Sequence, residues 1–469
     1  MTEAPPGPVG PKPGPLRPHP DAGTRARVSW VLYDWANQPF FTLITTFVFA
    51  PYFATQVAQT PAQGQALWGI ATGAAGLIIA FMSPVLGAIA DVTGERKRWI
   101  AAFSVLFVLG SWSLWWAAPD APHSVAIALT AFVIATIGAE FATVFTNAMM
   151  PTLAPPERLG RLSGTGWAVG YLGGLVSLVV VLVFLAADPQ SGLTIAGLEP
   201  AFGLDPETGQ GDRVTGPLTA IWYIVFVIPL FLFVPDVRAR AAIGDAVRTG
   251  LGELKETVRG LLSYRDMLLY LLAHMAYIDG LVALFAFGGI YAAGTFGWGT
   301  TEIGLFGILL TVTGAIGAFI GGRLDDWFGP KAVVMGALVV LLAAGAAILS
   351  VGENRYFFVF ETEPANPEDG LFSTVPERIY LALGMMIGAV AGPLQAASRT
   401  LLARLAPAGL MTQYYGLYAL SGKVTSFMGP LLVGAVTAWF DSQRAGMAVL
   451  LLFFLAGMAL LAPVRVPRR

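Results

Sequence analysis

The sequence predicts an all-α membrane protein of twelve transmembrane helices in two six-helix bundles. Three observations predict it. The 469 residues are 56% hydrophobic and 12% charged, where an average soluble domain is about 25% charged. Twelve stretches approach or exceed the roughly 20 apolar residues that a bilayer crossing needs. A loop motif of the first half recurs in the second.

Composition narrows the function classes before any motif is read. A mean hydropathy of +0.69 does not suit a soluble enzyme or a disordered scaffold. With 27 Lys and Arg against 29 Asp and Glu the net charge is −2, so no overall field draws a nucleic acid. The absence of cysteine removes disulfides and thiolate sites. The histidines His19, His123 and His274 are scattered, so neither a metal site nor a cofactor is expected.

Residues 1–27 are expected to form a disordered Pro-rich cytoplasmic tail, with eight prolines before residue 23. It has no apolar h-region with a cleavage site and so does not read as a signal peptide. The spans follow at 30–55, 66–90, 99–118, 124–150, 163–187, 216–234, 267–294, 301–323, 331–351, 378–399, 412–437 and 443–463. They divide the chain into a first bundle over 28–234, a linker over 235–265, and a second bundle with a short basic tail over 266–469.

Orientation follows from Lys and Arg in the connections. With both termini cytoplasmic, 22 of these residues fall on the inner side and four on the outer, and Lys423 remains within a span. The long polar connections 188–215 and 352–377 then lie outside. The linker's apolar residues recur at helical spacing, which suits an amphipathic helix on the membrane surface or a tether between bundles. Twenty-two Arg against five Lys suggest a GC-rich bacterial genome, hence a bacterial inner membrane.

The repeat is G-x3-D-x2-G-x-[R/K]. It reads Gly87, Asp91, Gly94, Arg96 after span two and Gly322, Asp326, Gly329, Lys331 after span eight, an offset of 235. Leu153-Ala154-Pro155 with Gly164 similarly matches Leu405-Ala406-Pro407 with Gly416, an offset of 252. Six spans, a linker and six related spans describe a duplicated transporter. The first glycine admits a neighbouring helix. The aspartate can face that helix's positive N-terminus. The second glycine permits a tight turn, and the basic residue sits at headgroup level.

These loops resemble the signature of the major facilitator superfamily. Tyr33-Asp34-Trp35-Ala36-Asn37, Asn147-Ala-Met-Met-Pro151, Gly166 to Gly174, Tyr277-Ile-Asp279-Gly280, Gln395-Ala-Ala-Ser398-Arg399 and Gly416 to Lys423 resemble its branch related to the autophagy vacuolar effluxers. Glu95 and Pro330 depart from the loop signature. The resemblance implies a central cavity between the bundles, alternating access, and export of a small metabolite such as an amino acid.

A charge at a helix centre costs about 2.5–3.5 kcal/mol on insertion scales. Asp34, Glu140, Asp279 and Lys423 lie within spans one, four, seven and eleven, and Arg399 near the inner end of span ten. At 1.5 Å per residue, Asp279 lies about 20 Å past Asp266 and Lys423 about 16 Å past Thr412. Both then approach the midplane, where such transporters hold substrate. Lys423 is expected to pair with Asp279 or with an anionic substrate group; a permanent ion pair is the alternative. Asp34 and Glu140 are candidates for a coupling proton, since burial favours a neutral carboxyl. A gate pair for Asp34 and an interhelical hydrogen bond for Glu140 remain open. Arg399 suits bidentate carboxylate binding, or snorkels to the inner surface. Asn37, Gln38, Asn147 and Gln395 read as ligand contacts or helix glue. His274 is a proton relay or a packed core residue.

No nucleotide-binding or hydrolase motif is present, so the chain does not read as an enzyme. The reading is a secondary transporter with a small-molecule substrate, protons as the candidate coupling ion, a lipid surround, no nucleic acid, and a monomeric state. A transporter-fold receptor or scaffold is the alternative, and a lipid-modifying membrane enzyme a third.

Overall fold

A computed structural model describes residues 22–119, 121–187, 191–236, 243–261, 264–298, 300–362 and 371–467. Among these, twelve helices are long and apolar enough to cross a membrane. In chain order they are Thr24–Val57, Leu67–Thr93, Arg96–Trp116, Ser124–Thr152, Pro156–Phe184, Gln210–Phe233, Arg265–Phe296, Glu302–Phe328, Pro330–Leu349, Val375–Leu405, Met411–Phe440 and Gln443–Leu461. Twelve crossings bring Thr24 and Leu461 to one face, called here the terminal face. The Pro-rich segment through residue 21 lies outside the described residues.

The two sets of six spans pack alike. Span one lies on span five, span three on spans four and six, and span two on span four. Spans seven, nine and eight repeat this against eleven, ten and twelve, and ten. Between the sets, span two packs on eleven and span eight on five. The linker forms a helix, Ile243–Leu261, that lies against span two. A Cβ on its Gly250 would come within 3.0 Å of the Ala88 backbone.

Two spans depart from regular helix. Span one begins at Thr24, inside the segment that composition assigns to the tail, because Arg25 and Arg27 extend a helix as well as they solvate. It turns π-helical over Phe40–Phe47 and again over Phe53–Val57. Pro39 has no N–H for the carbonyl of Trp35 four residues earlier. That carbonyl instead accepts from the Trp222 indole at 3.1 Å. Span eleven, expected as one helix, is two: Met411–Lys423 and Met428–Phe440. Pro430, near the start of the second piece, offers no N–H back across the break.

Each set is fastened to itself on the terminal face. Lys97 Nζ, opening span three, donates to Phe231 O near the end of span six at 2.9 Å. Lys331 Nζ, opening span nine, donates to Ala462 O and Val464 O just past span twelve, each at 2.7 Å.

Candidate functional site

The repeated motif forms two matched seams between the sets. A Cβ on Gly87 would lie 2.5 Å from Thr412 O, and one on Gly416 would lie 2.7 Å from Pro84 Cα. In the other seam a Cβ on Gly322 would lie 2.6 Å from Gly160 O, and one on Gly164 would lie 2.6 Å from Gly322 Cα. Main chain therefore meets main chain at both seams.

Each motif aspartate sits at a helix N-terminus of the other set, where free N–H groups attract negative charge. Asp91 accepts from the backbone N–H of Thr412 at 3.1 Å and of Gln413 at 2.8 Å. Asp326 accepts from the N–H of Arg161 at 3.1 Å. Arg96 braces the first seam, 3.2 Å from Asp91 and donating through Nε to Thr412 Oγ1 at 2.9 Å.

Lys331 does not take the matching place. It belongs to the clasp at the end of span twelve, and its counterpart is Lys97. The first loop holds Gly94 and Glu95, both at positive φ, where the second holds Gly329 alone. Span nine therefore starts at Pro330, and Lys331 falls on its second residue, as Lys97 does on span three. The basic partner of Asp326 is Arg161, at 3.3 Å. Asp325 adds a contact that the motif does not announce, accepting from Thr400 Oγ1 and lying 3.7 Å from Arg404.

Deeper in the protein, Arg399 joins the sets. Its guanidinium lies 3.3 Å from Asp34 Oδ2 and donates to Asn147 Oδ1 at 3.1 Å. It also donates to Ser163 Oγ at 2.9 Å and Ser163 O at 2.8 Å. The Trp30 ring faces it at 4.8 Å. With 4% of its surface exposed, Arg399 does not snorkel. Asp34 is thus ion-paired with a basic residue of the other set. Gly166 makes room for both, since a Cβ there would strike Asp34 Oδ2 and lie 3.2 Å from Arg399 Nη2. Gln395 donates across the interface to Tyr171 Oη at 3.1 Å. Asn37 stays within the first set, donating to Thr143 Oγ1 at 3.1 Å.

About midway along the spans, Lys423 Nζ lies 2.7 Å from Glu140 Oε1 of the other set. Lys423 therefore does not pair with Asp279, although the two lie at similar depth. Helical angle decides this: residues two apart on a helix face different ways. Span eleven turns Tyr418, Ser421 and Thr425 toward span seven, where His274 stacks on Tyr418 at 4.0 Å and meets Ser421 Oγ at 2.8 Å. Asp279 faces Thr425 on that side. Lys423, between Ser421 and Thr425, points to the other set. The Asp279 side chain is buried, and its Oδ1 has no hydrogen-bond partner. His274 is a packed core residue, stacked and hydrogen-bonded within its own set.

Sequence reading missed Ser163, Thr143, Trp30, Arg161 and Arg404 as parts of this network. The Asp325-Asp326 doublet and the serine beside Gly164 were the available signals.

Comparison with known proteins agrees with this architecture. A family model described as "Vacuole effluxer Atg22 like" matches residues 65–469. The uncharacterized MFS-type transporter YxiO of Bacillus subtilis is 26% identical over 443 residues, 94% of each chain. Autophagy-related protein 22-1 of Penicillium rubens is 25% identical over 320 residues, 66% of this chain and 49% of that protein; the chain thus spans about half the length of the fungal relatives it matches. Among solved structures, the major facilitator transporter FucP in its outward conformation superposes with a TM-score of 0.71 at 14% identity, over 95% of this chain and all of that one. The human organic anion transporter MFSD10 gives 0.65 at 18% identity, over 94% of this chain and all of that one. The chain belongs to the Atg22-like vacuole effluxer family and is a transporter of the major facilitator superfamily.

Proposed function

We propose that the protein is a secondary active exporter of a small zwitterionic metabolite, an amino acid being the simplest, working by alternating access between the two bundles. The observation that carries this reading is the Glu140–Lys423 pair. It sets an ammonium and a carboxylate from opposite bundles 2.7 Å apart, with side chains 34% and 17% exposed respectively. An amino acid presents the same two charges. Its carboxylate competes for Lys423 and its ammonium for Glu140, so the bound substrate replaces a bridge between the bundles.

In this reading the terminal face is cytoplasmic, supported by the Lys and Arg asymmetry of the loops. The membrane is a bacterial plasma membrane, supported by the Bacillus relative. The cross-bundle bonds of Asp91, Asp326 and Arg399 lie in the terminal half, which supports a state shut to the cytoplasm. The FucP structure in its outward conformation is consistent with that state. Asp279 carries the coupling proton: a buried carboxylate with one oxygen left unpartnered is costly, and protonation removes the charge.

A thermal-shift screen against metabolites identifies the ligand; saturation to about 100 times Kd adds about 2.7 kcal/mol of stability. In proteoliposomes, substrate-driven proton flux is then expected to disappear in Asp279→Asn while the thermal response to ligand persists. If Asp279→Asn keeps full coupled flux, Asp279 does not carry the proton, and if Asp34→Asn and Glu140→Gln keep it as well, no proton is coupled through these carboxylates. Ligand binding with no counterflow would make the chain a receptor.

A further inference from the structure

The connection between spans nine and ten carries a feature that lies apart from the candidate site. Arg355–Tyr356 and Phe360–Glu361 pair as a short antiparallel hairpin on the face opposite the chain ends. Its turn and the first residue of its second strand are apolar and exposed: Phe357 is 47% exposed, Phe358 59%, Val359 74% and Phe360 53%. Phe357 and Phe358 hold φ of 50° and 61°. Bulky residues at positive φ carry strain, which persists only where the surroundings impose it.

Three contacts fix the height of this turn. The Phe358 N–H donates to Ser350 O, one residue past the end of span nine, at 3.2 Å. Arg444, at the start of span twelve, places its guanidinium 5.6 Å from the Phe358 ring. The same guanidinium donates to Val351 O at 3.4 Å. The turn therefore folds back to the level where both helices leave the membrane. The hairpin's base carries the exposed Arg355–Glu361 pair at 3.2 Å. Spans nine and twelve pack on each other and within their own bundle. Their exposed Val339 and Leu452 mark a surface that faces lipid.

We propose that the 355–361 hairpin is an interfacial anchor, with Phe357 to Phe360 seated among the lipid headgroups and first acyl carbons of the outer leaflet. Aromatic side chains favour that boundary, and a charged base with an apolar tip matches its polarity gradient. The anchor fixes the outer ends of spans nine and twelve against the bilayer, while the bundle interface moves elsewhere.

The chain has no cysteine, so a single introduced thiol takes a spin label uniquely. Val359→Cys and, separately, Phe360→Cys are labelled in the full-length protein, reconstituted in vesicles of phosphatidylcholine and phosphatidylglycerol. Leu452→Cys serves as the lipid-facing control and Glu207→Cys as the aqueous one. At both hairpin sites the label is expected to collide with dissolved oxygen more than with a water-soluble nickel chelate, as the Leu452 label does. Nickel accessibility equal to that of the Glu207 label overturns the proposal. So does an immobilised label shielded from both reagents, which would mean that protein covers the hairpin.

Discussion

Gly166 leaves a gap that a methyl group would fill with a clash. Its Cβ would strike Asp34 Oδ2 and crowd Arg399 Nη2, whereas a Cβ on Gly170, one turn along, would rest 3.4 Å from Asp34 Cβ. Gly166→Ala is expected to part the Asp34–Arg399 pair and lower stability by about 1–3 kcal/mol, the usual cost of overpacking. Gly170→Ala is expected to stay near the parent. Thermal unfolding of the two purified variants decides it; equal melting would mean that the ion pair does not depend on the space Gly166 leaves. Asp34, Asn147 and Arg399 are each visible in the sequence as polar residues within or near spans. Their convergence is not, because Arg399 is 252 residues from Asn147 and 365 from Asp34. Depth along a span can be counted from the sequence. The angle around it cannot be assigned without knowing the neighbours, and for that reason Lys423 meets Glu140 rather than Asp279.

The seams decide how the helices close. Gly322→Val adds an isopropyl group where span eight meets the backbone of span five, 2.6 Å from Gly160 O at the Cβ alone. If the bundles move as bodies, as the proposed alternating access requires, they are then expected to gape on the terminal face at both seams. Ser83→Cys, buried at the other seam beside Gly416, reports this through a membrane-impermeant thiol reagent applied from the terminal side. Labelling is expected to rise severalfold in the Gly322→Val background; an unchanged rate would show that the seams act independently. The motif itself was legible, since glycine and aspartate recur at the same spacing. The role of Lys331 was not. A one-residue difference in loop length, invisible to a spacing rule that spans it, moves the lysine from the seam to the clasp at the helix end. The break in span eleven was also hidden, although Pro430 marks it, because a single proline in an apolar run often leaves a helix merely kinked.

The whole molecule is a pseudo-symmetric pair, and its class was legible from hydropathy because a bilayer requires long apolar stretches of any helix that crosses it. The orientation rests on loop charge and has its own test. A fluorescent protein fused after Arg469 is expected to fold and fluoresce in intact cells, while an alkaline phosphatase fused there stays inactive; the opposite pair of results would invert the topology. The seams have a consequence of another kind. A contact made where backbone presses on backbone, held by a few side chains such as Asp91 and Asp326, carries little recognition code, so most other side chains can drift without disturbing it. Diversification of cargo is then uncoupled from the act of shutting: mutation can rework the interior freely so long as a few positions stay bare.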